Sequence, residues 1–141
     1  MIVLDTNVIS ELMRPAPQPA VLAWVAGQPR SSLCTTLFCQ AELLYGVAAL
    51  PAGKRRTALA EATERLFAED FAGRVLAFSA TAAALYADIV VARRQAGRPI
   101  EVLDALIAAT ALAAGADVAT RDTGGFEGCG LKTINPWVAT T

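Results

Sequence analysis

The chain has no histidine among its 141 residues, and its three cysteines, Cys34, Cys39 and Cys129, show no C-x-x-C spacing. The first absence removes the commonest general base and the Ser-His and Cys-His nucleophile systems. Together the two exclude an ordinary structural zinc site, so the cysteines are expected as small, buried, apolar residues. Any hydrolysis here must run on carboxylates, on metal, or on both. A basic excess is also lacking: the formal net charge is −1, whereas holding nucleic acid by general electrostatics needs a basic surface. Basic residues gather only locally, at Lys54-Arg55-Arg56 and at Arg93-Arg94 with Arg98. Both clusters read as solvated helix faces, with a phosphate-contacting rim as the alternative. The longest uncharged apolar run, residues 105–116, is well short of the roughly 20 residues a membrane span needs. The opening M-I-V-L-D meets an acid at Asp5, where a secretion signal would carry a basic stretch and a long apolar core. A cytoplasmic protein without membrane contact is expected.

What the chain does have is apolar mass, 55% hydrophobic against 18% charged residues. That excludes disorder, and a chain of this length can bury roughly 70% of its unfolded surface in one core. No repeat, low-complexity tract or linker divides it, so residues 1–141 are expected to form a single domain.

Apolar runs and breakers alternate along the chain. The run I-V-L at residues 2–4 reads as a buried parallel strand ending at Asp5. Thr6 or Asn7 then caps a helix carrying Val8, Ile9, Leu12 and Met13, which R-P-A-P-Q-P stops. A-V-L-A-W-V-A-G-Q reads as a second helix, S-S-L-C-T-T (31–36) as a strand, and F-C-Q-A-E-L-L-Y-G-V-A-A-L as a helix closed by Pro51-Ala52-Gly53. Residues 54–71 form one helical stretch and R-V-L-A-F (74–78) a strand. Ser79 or Thr81 starts a long helix that Gly97 ends. After Pro99, I-E-V-L-D-A-L-I-A-A-T-A-L-A-A-G-A has almost no polar residue beyond Asp104 and reads as a helix buried nearly all round. D-V-A-T is a strand, residues 123–130 a loop, and L-K-T-I a last edge strand before Asn135-Pro136-Trp137. Strands separated by helices imply a parallel sheet covered on both faces, a three-layer α/β fold.

Ligands in such sheets bind beyond the carboxyl ends of the strands. Asp5 ends the first strand, Asp122 follows a later one, and Glu42 lies in the first turns of the helix after the second. Asp104 heads the buried helix, where an unpaired charge costs several kcal/mol and the helix N-terminus returns only about 0.3–1 kcal/mol. Each acid alone has a plainer role: Asp5 as a cap, Glu42 as an exposed helix acid, Asp104 as a cap or arginine partner, Asp122 as an Asx turn. Glu61, Glu64, Glu69, Asp70, Asp88 and Glu101 read as surface acids, and Asp117 as a strand-entry residue. The four on a shared edge would raise one another's pKa unless cations compensate. Oxygen-only ligands with incomplete coordination suit Mg²⁺ or Mn²⁺ bound to phosphates.

The segments I-V-L-D-T-N-V-I-S-E-L, A-E-L-L-Y-G, D-A-L-I-A-A-T-A and V-A-T-R-D-T-G-G-F, in this order, resemble the PIN-domain proteins. The likeness spans nearly the whole chain and is closest to the VapC-type toxins, in particular a FitB-like branch that ends in N-P-W. It implies a metal-dependent ribonuclease, the toxin of a toxin–antitoxin pair, on a parallel five-stranded sheet flanked by helices and usually assembled as a homodimer. The implied partner is a small antitoxin with a ribbon-helix-helix DNA-binding part, through which the complex represses its own operon; the substrate is RNA. Asp5, Glu42 and Asp104 match the family's invariant acids, and Asp122 falls in its fourth-acid region. One departure stands out. Many relatives read T-R-N-x-x-D-F, whereas here Gly125 takes the place of the acid and Asp122 that of the asparagine.

The mechanism this implies has one or two Mg²⁺ (or Mn²⁺) held mainly by Asp5 and Asp104, with Glu42 and Asp122 acting through water. Thr6 and Thr120 would support the acids, Asn7 would fix Asp5, and Arg121 would touch a phosphate. A catalytically weak partner of a DNA-binding antitoxin is the alternative. An aspartyl-phosphate hydrolase or receiver domain fits poorly, because position 7 is asparagine and residues 78–79 are Phe-Ser. Met13, Leu22, Trp24 and Val25, with Leu59, Leu66 and Phe67, are expected either to form an antitoxin groove or to complete the core.

Overall fold

The computed structural model describes residues 1–139, so the last two positions of the expected domain lie outside the described residues. Five strands form one all-parallel sheet in the order β3-β2-β1-β4-β5. They are β1 (Ile2–Leu4), β2 (Leu33–Thr36), β3 (Val75–Leu76), β4 (Asp117–Ala119) and β5 (Thr133–Ile134). The helices are α1 (Thr6–Leu12), α2 (Pro19–Ala26), α3 (Leu37–Ala48), α4 (Lys54–Arg65), α5 (Ala80–Gln95) and α6 (Val102–Ala113). The expected α/β class, strand direction and strand number are all found.

Position in the sheet explains the strand burial. β2 is buried at every residue and β1 at Val3 and Leu4, because both have strands on either side and helices over both faces. The edge strands β3 and β5 are two residues long. The expected strands at 74–78 and 131–134 shrink accordingly, since an edge strand has one pairing partner to extend it. Ser31 and Ser32 leave the expected second strand for a 3-10 turn, Arg30–Ser32.

The helical stretch 54–71 is not uniform. After Arg65 it widens into a π turn, Leu66–Asp70, closed by Phe71 N–H on Leu66 O at 2.9 Å, and Phe71 is buried. The cap of α1 also differs: Asp5, not Thr6 or Asn7, takes that place, its Oδ1 accepting the Thr6 N–H at 2.8 Å. Ser79 caps α5 through the Ala82 N–H, one of the two expected starts.

Two hydrophobic clusters divide the core. One packs α5 and α6 with β1, β2 and β4 through Val3, Ala82, Ile89, Ile107, Ala108 and Val118. The other gathers Leu4, Val8, Ile9, Val21, Trp24 and Phe71 around α1 and α2. Val25, Leu66 and Phe67 pack against that second cluster. Trp24 is buried in that core and Met13 also packs against it, but Met13, Val25 and Leu66 line an open cleft of about 450 Å³ as well, Met13 and Leu59 line another of about 550 Å³, and Leu22 is exposed. All three cysteines are buried free thiols, as expected. Arg93 corrects the expectation of a solvated basic face, since it is buried at 7% exposure while Arg94 and Arg98 remain exposed.

Candidate active site

β1 lies at the centre of the sheet. The chain steps from it through β2 to β3, then returns to β4 on its other side, so the order reverses between β1 and β4. A crevice opens beyond the strand ends at such a reversal. The four acids singled out in the sequence gather there.

Asp5 is the most enclosed, at 6% exposure. Its Oδ1 accepts from Thr6 N–H, and its Oδ2 accepts from the Thr120 hydroxyl at 2.8 Å. Burial raises its pKa and the Asp122 charge adds to this, while the bonds from Thr120 and Thr6 oppose it. The Cys39 sulfur lies 4.0 Å from Oδ1 on the side of α3. Burial holds that thiol protonated, so it closes the apolar wall without adding charge.

Thr120 is saturated. Its single O–H points to Asp5, and its oxygen accepts from Asn7 Nδ2 at 3.2 Å and from Asp122 N–H at 3.1 Å. A hydroxyl offers one donor and two acceptor sites, and all three are used. Asn7 thus supports Asp5 through Thr120, not by the direct bond expected of it, and its Oδ1 takes the Arg121 N–H.

Glu42, half-buried on α3, accepts from the Thr6 hydroxyl at 2.7 Å. Burial, and then the Asp5 charge, raise its pKa against that bond. Asp104 stands in the first turn of α6, half-buried. Burial, followed by the charges of Asp5, Asp122, Glu42 and Glu101, pushes its pKa up to about 6. Asp122 is exposed and caps the 3-10 turn Thr123–Phe126 by accepting the Gly125 N–H at 3.2 Å. Asp122 thus acts as a helix cap in place of the expected Asx turn, and its second oxygen faces Asp104 across Gly125. Arg121 lies over the Trp137 ring, 5.0 Å from its centre, at the edge of the same loop.

Among the described residues none of the four acids is ion-paired. The sheet edge thus carries negative charge that no side chain neutralises. As the side chains stand, no group of three or more His, Cys, Asp or Glu among the described residues is close enough to hold one ion. Magnesium does not require three: it keeps several waters and is held by one or two carboxylates with substrate phosphate. Asp104 and Asp122 face each other across Gly125. Their Oδ2 atoms lie 3.3 and 2.7 Å from the point that a Cβ on Gly125 would occupy. An all-oxygen, uncompensated donor set of this kind fits a hard divalent cation.

A family model for the PIN domain matches residues 2–128. The chain belongs to the PIN-domain family. This PIN domain is 50% identical over 137 residues to VapC ribonuclease Y4jK of Sinorhizobium fredii, covering 97% of this chain and 98% of that protein. It is 42% identical over 137 residues to toxin FitB of Neisseria gonorrhoeae, covering 97% and 99% respectively. A solved structure of FitAB bound to an IR36 DNA fragment matches with a TM-score of 0.93 and 40% identity, over 100% of this PIN domain and 99% of that chain.

Two further residues escaped the sequence reading. Glu11 is buried at 5% exposure and accepts from Arg14 and from the Gln18 N–H, tying α1 to the turn before α2. Cys39 is the other, packed against Asp5. A helix acid and a lone thiol carry no local signal of such placement, which depends on contacts 7 and 34 positions away. The remaining surface acids are exposed as expected, and Asp70 pairs with Arg30 at 3.0 Å.

Proposed function

We propose that this protein is a divalent-metal-dependent ribonuclease and the toxin of a toxin–antitoxin pair. The observation that carries the reading is the cluster of Asp5, Glu42, Asp104 and Asp122 at one sheet edge with no cation paired to it. The ribonuclease and toxin relatives support it. Asp5 and Asp104 would hold Mg²⁺ or Mn²⁺, with Glu42 and Asp122 acting through water. Such an ion supplies a lowered water pKa and charge stabilisation on the phosphate.

The chain's own residues prepare the site. Thr120 and the Thr6 N–H aim the two Asp5 oxygens, and the Thr6 hydroxyl turns Glu42 toward the same crevice. Burial and the neighbouring carboxylates push the Asp104 pKa up to about 6, so it takes up a proton more readily than a free aspartate as pH falls. Arg121, exposed beside the loop, would meet a substrate phosphate. With no histidine in the chain, proton movement at the reacting water falls to a carboxylate, and Glu42 has one oxygen without a protein donor.

The partner is an antitoxin with a DNA-binding part, a reading supported by the FitAB–DNA structure. DNA contact through that partner accords with the net charge of −1. The open cleft suits an antitoxin segment: Met13 and Leu59 offer apolar wall, Arg14 and Arg55 offer charge, and Thr6 and Glu42 close one end. A segment seated there would reach the acids and cover them. Exposed Leu37, Leu44 and Tyr45 on α3 leave apolar surface for a second copy, in keeping with a homodimer.

The test is RNA cleavage by the purified chain with magnesium titrated in, beside Asp5→Asn and Asp104→Asn. Cleavage only with the divalent ion, and loss in both variants, is expected; variants as active as the wild type would end the reading. The exposure of Asp122 and its engagement as a cap favour one second reading, a catalytically weak chain acting within a DNA-bound complex. Growth arrest on expression without the partner separates the two, since only the toxin causes it.

A further inference from the structure

Arg93 is the buried cation of this fold, yet among the described residues it pairs with no carboxylate. Desolvating a guanidinium without an anion is costly, and such a group must be satisfied by well-placed acceptors. From the last turn of α5 its Nη1 donates to Gly125 O at 2.9 Å and to Glu127 O at 2.8 Å, and its Nε donates to Arg98 O at 2.6 Å. Two of these three carbonyls belong to the loop that follows Asp122.

Gly125 transmits the restraint. Its carbonyl is held by Arg93, and its N–H is given to Asp122 Oδ1. Its φ is not positive, so the backbone accepts any residue there; the space does not. A Cβ on Gly125 would stand 2.7 Å from Asp122 Oδ2 and 3.3 Å from Asp104 Oδ2. The Asp122 carboxylate thus fills the room that a side chain at position 125 would need, and it faces Asp104 across it.

We propose that Arg93 is a positioning residue for Asp122: acting through the Gly125 peptide, it fixes the loop so that this exposed carboxylate stays beside Asp104. The inference rests on the reading of the acid cluster as a metal site. It assigns to α5, which carries none of the four acids, control over how well the fourth one serves. The exposed Arg98–Glu127 pair, at 2.9 Å, ties down the same loop without touching Gly125 and serves as the control.

The experiment is calorimetric titration of Mn²⁺ into the full chain, so that the readout is ion affinity and not activity. Asp122→Asn, Gly125→Ala and Arg93→Met are each expected to weaken Mn²⁺ binding by about tenfold, the usual scale for loss of an outer support. The double variant Arg93→Met with Asp122→Asn should bind no more weakly than Asp122→Asn alone, because both act through one carboxylate. Arg98→Ala should stay within about twofold of wild type, as an exposed pair contributes little. If Arg93→Met does not fold by circular dichroism, Arg93→Gln, which keeps a donor for one loop carbonyl, takes its place with the same non-additivity expected. An Arg93 variant that binds Mn²⁺ like wild type, or losses that multiply in the double variant, would overturn the inference and leave the metal site standing. A wild-type chain that takes up no Mn²⁺, or an Asp5→Asn chain that takes it up unchanged, would overturn both.

Discussion

Thr120 shows how the site depends on single atoms. One hydroxyl aims Asp5, receives Asn7 and receives the Asp122 N–H. Thr120→Val keeps the shape and removes all three bonds. It should cost about 1–3 kcal/mol in denaturant unfolding, the penalty for buried polar groups left unsatisfied. Asp104 gives a prediction of opposite sign. Its pKa is about 6 in the folded protein against 3.8 as a free side chain, so the folded state holds its proton more tightly than the unfolded. The stability this contributes is fully present below pH 3.8 and is lost as pH rises through about 6. Metal-free Asp104→Asn should therefore be more stable than wild type at pH 7, by about 1 kcal/mol once solvent screening of a half-buried group is allowed for, and the gain should vanish near pH 4. Thermal melts with a chelator at the two pH values check this. A variant that gains stability while losing cleavage would mark Asp104 as a residue kept at the expense of the fold.

At the scale of elements, the sequence disclosed what is local and withheld what is not. β1 and α6 were legible because burial on all sides leaves an unbroken apolar run, as in I-V-L and A-L-I-A-A. The edge strands were overestimated because R-V-L-A-F and L-K-T-I have strand character along their whole length, and only the sheet edge decides where pairing stops. Asp5 and Asp104 could be found from position alone, one at a strand end and one heading an apolar helix. Arg93 could not: it sits among charged neighbours in R-R-Q-A-G-R, and its partners lie 32 and 34 residues later. Glu11 is similar, and it carries a prediction for the α1–α2 connection. Its buried carboxylate accepts the Gln18 N–H and the Arg14 guanidinium. Glu11→Ala should destabilise the protein by about 2 kcal/mol, seen as a lower urea midpoint with unchanged slope.

For the whole molecule, the reversal of strand order brings acids from four separate segments to one edge, and that edge opens into the cleft between α1, α3 and α4. The proposed substrate site and the proposed partner cleft would thus share a boundary at Thr6 and Glu42. Leu59→Lys, in the apolar wall but away from the acids, should weaken antitoxin capture by about tenfold or more while leaving RNA cleavage by the free chain intact. Pull-down with the cognate antitoxin beside a cleavage assay checks both halves. No helix among the described residues is long and apolar enough to cross a membrane. The central claim, that the unpaired acids are a metal site, is tested most directly by the anomalous signal of Mn²⁺ in a soaked crystal of the free chain. An ion within coordination distance of Asp5 or Asp104 is the predicted result. A fully soaked crystal with no manganese at that sheet edge, or with manganese only elsewhere on the molecule, would contradict it.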